Sequence, residues 1–118
     1  MFGLNLPSGV YLSSRPTDMR KSIDGLSGEV SEYLGGDPSA GSLFVFYNRR
    51  RDKLKMLWWD RDGYWVFYKR LEAGTFEFPL EEAPQGGRWQ LSPEQLGLIL
   101  AGVELRSVRM RKRYRLSA

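Results

Sequence analysis

The chain has 118 residues, 42% hydrophobic and 14% aromatic, with a formal charge of +4 and neither cysteine nor histidine. Those two absences exclude disulfides, thiol nucleophiles, Ser-His-Asp triads and the usual zinc and haem ligand sets, so no metal or cofactor is expected. The length suits a single domain. No apolar run approaches the ~20 residues of a membrane span, and the opening MFGLNLPSG lacks a charged and then apolar leader. A cytoplasmic protein with no membrane partner is the expectation.

Charge is unevenly spread. Residues 1–105 hold 12 Lys/Arg and 14 Asp/Glu, whereas RSVRMRKRYRLSA at 106–118 holds 6 and none. The expected organisation is therefore an α+β domain over 1–105 with a basic C-terminal tail at 106–118. Within the body, Arg49 to Arg70 carries 8 basic and 3 acidic residues, and Glu72 to Glu104 carries 6 Glu against Arg88 alone. Such a split suggests a two-faced electrostatic surface, one side of which suits a polyanion. A solubilising surface with a solvated tail is the plainer alternative.

In chain order, Val10-Tyr11-Leu12 follows a Pro-Ser-Gly turn and predicts a short strand. Met19, Ile23, Leu26, Val30 and Tyr33/Leu34 then recur at helical spacing, predicting a helix over about 18–34. Thr17 is its candidate cap, Asp18 sits in its first turn and Gly35-Gly36 ends it. Lys21, Asp24, Ser27 and Ser31 form its wet flank. Gly25 and Gly28 each cost about 1 kcal/mol of helix propensity, which suggests close packing against a sheet. Arg20 and Lys21 near exposed amides are a weak phosphate signal.

SLFVFYNRRRDKLKMLWWDRDGYWVFYKRL at 42–71 predicts a three-stranded antiparallel meander divided at NRRRD and DRDG. Asp60–Gly63 suits a three-residue hairpin loop with Gly63 left-handed. Treating Asn48–Asp52 alike places Phe44 opposite Met56 and Tyr68, and Val45 opposite Lys55 and Lys69. Side chains alternate along a strand. One face then carries Phe44, Phe46, Leu54, Met56, Trp58, Val66 and Tyr68, read as core. The other carries Leu43, Val45, Tyr47, Lys53, Lys55, Leu57, Trp59, Trp65, Phe67 and Lys69.

Thr75–Phe78 predicts a further short strand, followed by an acidic Pro- and Gly-rich loop. Ser92-Pro93-Glu94-Gln95 reads as a capping box opening a second helix at about 93–101, with Gly102 near its end. The class is α+β, an antiparallel sheet built on the meander with one or two extra strands, packed against two helices.

PTDMRKSIDGL at 16–26, FVFYNRRRDKLKMLWWDRDGYWVFYKRLEAGTFEFP at 44–79 and LSPEQLGLILAGVEL at 91–105 together resemble the small accessory protein of insertion-sequence-66 elements. This is the TnpB-type, second-open-reading-frame family, distinct from the RNA-guided nuclease that shares the label. The resemblance covers roughly residues 8–105. It implies a role in transposition beside a larger transposase, and no catalytic role. Where this chain has Arg51, the family commonly has Gly. Either a left-handed conformation there strains Arg51 by about 1 kcal/mol or more, or the loop adopts another shape.

Two functional readings remain open. In the first, DNA is held by charge, with Arg49, Arg50 and Arg51 at a hairpin tip, Lys53, Lys55 and Lys69 beside it, and Arg109, Arg111, Lys112, Arg113 and Arg115 in the tail. The plainer view of the same residues is a helix-covered face whose lysines reach to its edge, and a solvated tail. In the second reading, the chain is an adaptor that docks on the transposase, its helix-turn-helix companion or other proteins of the element through Trp59 and Trp65. Asp60 and Asp62 suit a turn better than a metal site. No residue is assigned a catalytic or metal-binding role.

Overall fold

The computed structural model describes residues 7–79 and 83–102. Five strands form one mixed, mostly antiparallel sheet in the order β4-β3-β2-β1-β5. They are β1 (Val10–Ser13), β2 (Leu43–Tyr47), β3 (Lys53–Asp60), β4 (Gly63–Arg70) and β5 (Arg88–Leu91). Helices α1 (Ile23–Glu29) and α2 (Pro93–Ala101) complete the α+β architecture. The meander pairs antiparallel, β1 lies parallel to β2 across the α1 connection, and β5 returns antiparallel to β1.

Both hairpin registers differ by one residue from the expected ones. Phe44 faces Leu57 and Val45 faces Met56 across a four-residue loop, while Lys55 faces Tyr68 and Asp60 faces Gly63 across a two-residue loop. Asn48 uses its side chain to close the longer loop, and Arg61 rather than Gly63 takes the positive φ in the shorter one, at 60°. The two shifts add to two residues between β2 and β4, which keeps the faces of those strands in phase, but turn β3 over relative to both.

Each sheet face accordingly has its own core. Val10, Leu12, Leu43, Val45, Tyr47, Leu54, Met56, Trp58 and Leu91 pack with Leu96 and Ile99 of α2 and with Phe76 and Phe78. Phe44, Phe46 and Leu57 pack on the opposite face with Leu26, Val30 and Leu34. A buried side chain of this size contributes about 1.5–3 kcal/mol, so two helices covering two faces let the central strand β2 be apolar on both sides.

The first helix starts later than its apolar spacing suggests. Thr17 N–H is committed to the Tyr47 carbonyl at 2.7 Å, and the Asp18 carboxylate accepts from Arg20 N–H at 2.9 Å. This local side-chain bond holds residues 17–20 in a turn, so Thr17 is not the cap, and Ser22 occupies that position without a side-chain cap bond. The helix continues through a π-helical segment, Val30–Leu34, and ends at Gly35 with φ 69°. Arg88 of β5 donates to the carbonyls of Leu34 and Gly35, both at 2.7 Å, placing a cation at the helix's negative end.

Close packing against the sheet does not account for the helix glycines: a methyl at Gly28 would meet nothing within 4 Å, and one at Gly25 would crowd the Lys21 stem first, at 3.0 Å. Phe76 and Phe78 are buried as their alternation suggests, yet 75–78 is not a strand; the extra edge strand is 88–91. Phe76 N–H is used by the Arg51 carbonyl, 2.7 Å away, rather than by a ladder. The second helix begins and ends as expected. Ser92 Oγ accepts from Gln95 N–H at 3.0 Å, Gln95 Oε1 accepts from Ser92 N–H at 2.9 Å, and Gly102 closes the helix at φ 86°.

Candidate nucleic-acid interface

The loop between β2 and β3 is tied down by its own ends. Asn48 Nδ2 donates to Asp52 Oδ1 at 2.6 Å, while Asn48 Oδ1 accepts from the N–H groups of Asp52 and Lys53 at 3.1 and 3.0 Å. Arg51 sits at φ 59°, so of the two outcomes open for that position the strained left-handed residue is the one found. The carbonyls of Arg51 and Asp52 each accept a backbone N–H at 2.7 Å, from Phe76 and Leu71. The Asn48 amide bond, with smaller help from Lys53 and Arg50, holds the Asp52 carboxyl below its ordinary 3.8.

This frame presents four cations against one acid, Asp52. Arg49 and Arg50 are exposed, Arg51 and Lys53 half-buried. None of the ion pairs formed among the described residues uses any of the four. Across from the loop, the Pro16–Arg20 turn forms the second wall of an open cleft of about 610 Å³, lined by Arg49, Arg50, Lys53, Asn48 and Tyr68. Asp18 is the acidic residue in that lining, and Arg20 satisfies it with contacts of 2.7 and 3.1 Å. The Arg20 bonds lower the Asp18 carboxyl to about 2. Thr17 also lines the cleft, with a buried hydroxyl that has no hydrogen-bond partner.

The remaining lysines do not join that group. Lys55 is buried: Nζ donates to the Lys21 carbonyl at 2.7 Å and lies 5.0 Å from the Tyr68 ring centroid. Because β3 is turned over, Lys55 points to the α1 side and its ammonium braces the start of that helix. Lys69 is exposed on the opposite face, where Nζ donates to the Leu100 carbonyl at 3.2 Å.

The two tryptophans also part. Trp59 pairs with Tyr64, edge to face at 4.9 Å, on the α1 side. Trp65 pairs with Trp58 on the α2 side, stacks on Phe67 at 6.2 Å and donates to Asp60 Oδ2 at 3.4 Å. The expected single aromatic face is thus divided, because the register that united it was one residue out. Arg109, Arg111, Lys112, Arg113 and Arg115 lie outside the described residues.

Tyr68 is the residue that sequence reasoning misplaced. Read as core, it is 55% exposed, because β4 is the edge strand and Tyr68 lines the open cleft instead of the α1 core. Its place at the end of the strand, immediately before Lys69 and Arg70, was the available signal. Among the described residues, no group of three carboxylates is placed to hold a metal ion, and no helix is long and apolar enough to cross a membrane.

The geometry defines a small α+β protein with a basic hairpin loop beside an open cleft. Its sequence agrees with the model of the IS66 Orf2-like protein family over residues 8–110. The chain belongs to that family and is a transposition-associated accessory protein; the family is not a known enzyme class. It is 40% identical over 105 residues to "Uncharacterized protein y4hO" of Sinorhizobium fredii (strain NBRC 101917 / NGR234), covering 86% of this chain and 89% of that one. It is 34% identical over 104 residues to "Uncharacterized protein y4jC" of the same strain, covering 88% and 86%. No solved structure matches the chain.

Proposed function

We propose that the chain assists transposition in the cytoplasm by holding DNA through charge, with little base discrimination, beside a transposase that performs the chemistry. The observation that carries this reading is the set of cations on the β2–β3 loop, Arg49, Arg50, Arg51 and Lys53, on a backbone held by the Asn48 bonds, outnumbering the loop's Asp52 and engaged in no salt bridge among the described residues. A loop backbone fixed in advance loses little freedom when a phosphate arrives. The tail residues Arg109, Arg111, Lys112, Arg113 and Arg115 add contacts in this reading. Lys69 contributes from the other face, and Lys55 is withdrawn from the contact set because its ammonium faces inward. The separation of Trp59 and Trp65 onto opposite faces speaks against an adaptor that docks through both.

A gel shift on random and element-end duplexes, titrated with salt, tests this. Binding should fall steeply with salt, and each phosphate contact removed should flatten the log–log slope by about 0.9. Substituting Arg49 and Arg50 by Ala should flatten it by roughly two contacts. Removing 106–118 should flatten it further. No shift of either duplex at low salt refutes the proposal.

A further inference from the structure

The cleft beside the loop contains more than charge binding of a duplex requires. Its cationic wall is Arg49, Arg50 and Lys53, and its remaining acid, Asp18, is already matched by Arg20. Tyr68 lines the same cleft with more than half of its surface open. The Lys55 ammonium, 5.0 Å from the ring centroid, is anchored by the Lys21 carbonyl and adds a fixed positive charge under that wall. Phosphate-binding cations and an aromatic platform within one concavity are the two elements with which proteins hold unpaired strands. A volume of about 610 Å³ lies within the range of sites that take nucleotide-sized ligands.

We propose that this cleft is a subsite for one nucleotide unit of single-stranded DNA, with the phosphate on Arg49, Arg50 and Lys53 and the base stacked on Tyr68. The proposal rests on the reading that the loop meets DNA, and adds which form of DNA the cleft takes. A duplex brings its phosphates to the exposed loop tip, but its bases stay stacked inside the helix and do not reach Tyr68. An unpaired strand delivers both at once.

The test uses the full chain and fluorescence anisotropy with labelled oligo-dT and a duplex of equal length. Tyr68→Ala should weaken oligo-dT binding about 5- to 100-fold, as loss of one stacked base does, while leaving duplex affinity within about twofold. Tyr68→Phe should bind like the wild type, and replacing Arg49 and Arg50 by Ala should weaken both ligands. In the unmodified chain, an oligo-dT carrying 5-iodouracil should crosslink on irradiation at Tyr68, which needs no variant to fold. If Tyr68→Ala weakens both ligands alike or neither, or if the crosslink maps elsewhere, the subsite is refuted while charge-driven binding stands. If neither ligand binds the wild type at low salt, both ideas fall together.

Discussion

The loops at the two ends of β3 each hold an arginine at positive φ, Arg51 at 59° and Arg61 at 60°. Around Arg51, Asn48 supplies three side-chain hydrogen bonds and two neighbouring carbonyls are taken up by Phe76 and Leu71. Around Arg61, the Asp62 N–H donates to the Asp60 carbonyl at 2.6 Å in a γ-turn, the tighter and more strained solution. The first loop gathers cations beside a cleft; the second alternates Asp60, Arg61 and Asp62 and is left with one net negative charge. Nearly equal positive φ values therefore serve different ends: one arginine belongs to a braced basic surface, the other to a reversal of the chain.

Breaking the brace should have the largest effect. Asn48→Ala removes three part-buried hydrogen bonds, each worth about 1 kcal/mol net, so urea denaturation should show a loss of about 2–3 kcal/mol. No comparable side-chain net exists around Arg61. Asp62→Ala should change stability by less than about 0.5 kcal/mol, as surface substitutions usually do.

Relieving the strain is the next step down. Arg51→Gly and Arg61→Gly should each stabilise the fold by about 0.5–1 kcal/mol, the left-handed cost less the chain entropy of Gly. The pair separates in binding: Arg51→Gly should flatten the salt dependence of DNA affinity by about one contact, and Arg61→Gly should leave it unchanged. Equal losses in both variants would show that the braced loop is not the contact.

The smallest effect is titration of the brace. The Asp52 carboxyl is held below 3.8 when folded, chiefly by the Asn48 amide, so the folded state favours its charged form. Its contribution is complete above the unfolded value of 3.8 and disappears as the pH falls through the lower folded value. The stability advantage of the wild type over Asp52→Ala should thus narrow in acid below pH 4. An advantage that grows on acidification refutes this account.

Much of the architecture was legible because it follows from patterns that tolerate small errors. Ser92, Pro93 and Gln95 specify the start of α2 by local hydrogen bonding alone, and the observed helix begins there. Strand register has no such tolerance, since a one-residue change in loop length sends every side chain of β3 to the other face. The side chain of Asn48 and the positive φ of Arg61 decided those lengths, and arginine in that conformation is too uncommon to anticipate. The burial of Lys55 and the parting of Trp59 from Trp65 descend from that single inversion, whereas the exposure of Tyr68 follows from the edge position of β4. Helix α1 began late for a related reason, because Asp18 prefers the Arg20 N–H to a place in the first turn.

Strand β1 sits between β2 and β5, one partner beginning at residue 43 and the other at residue 88. During synthesis the first of these pairings is available long before the second. Until residues 88–91 leave the ribosome, β1 exposes a row of unpaired N–H and C=O groups next to buried-type side chains, an edge open to any extended neighbour. Arg88 then does three things in one arrival: it lengthens the sheet, terminates the helix at Leu34 and Gly35, and lies 4.9 Å from the Tyr11 ring. Completion of the fold is in this sense a late, nearly simultaneous event, and a chain halted before residue 88 would present a sticky strand rather than a smaller version of the protein.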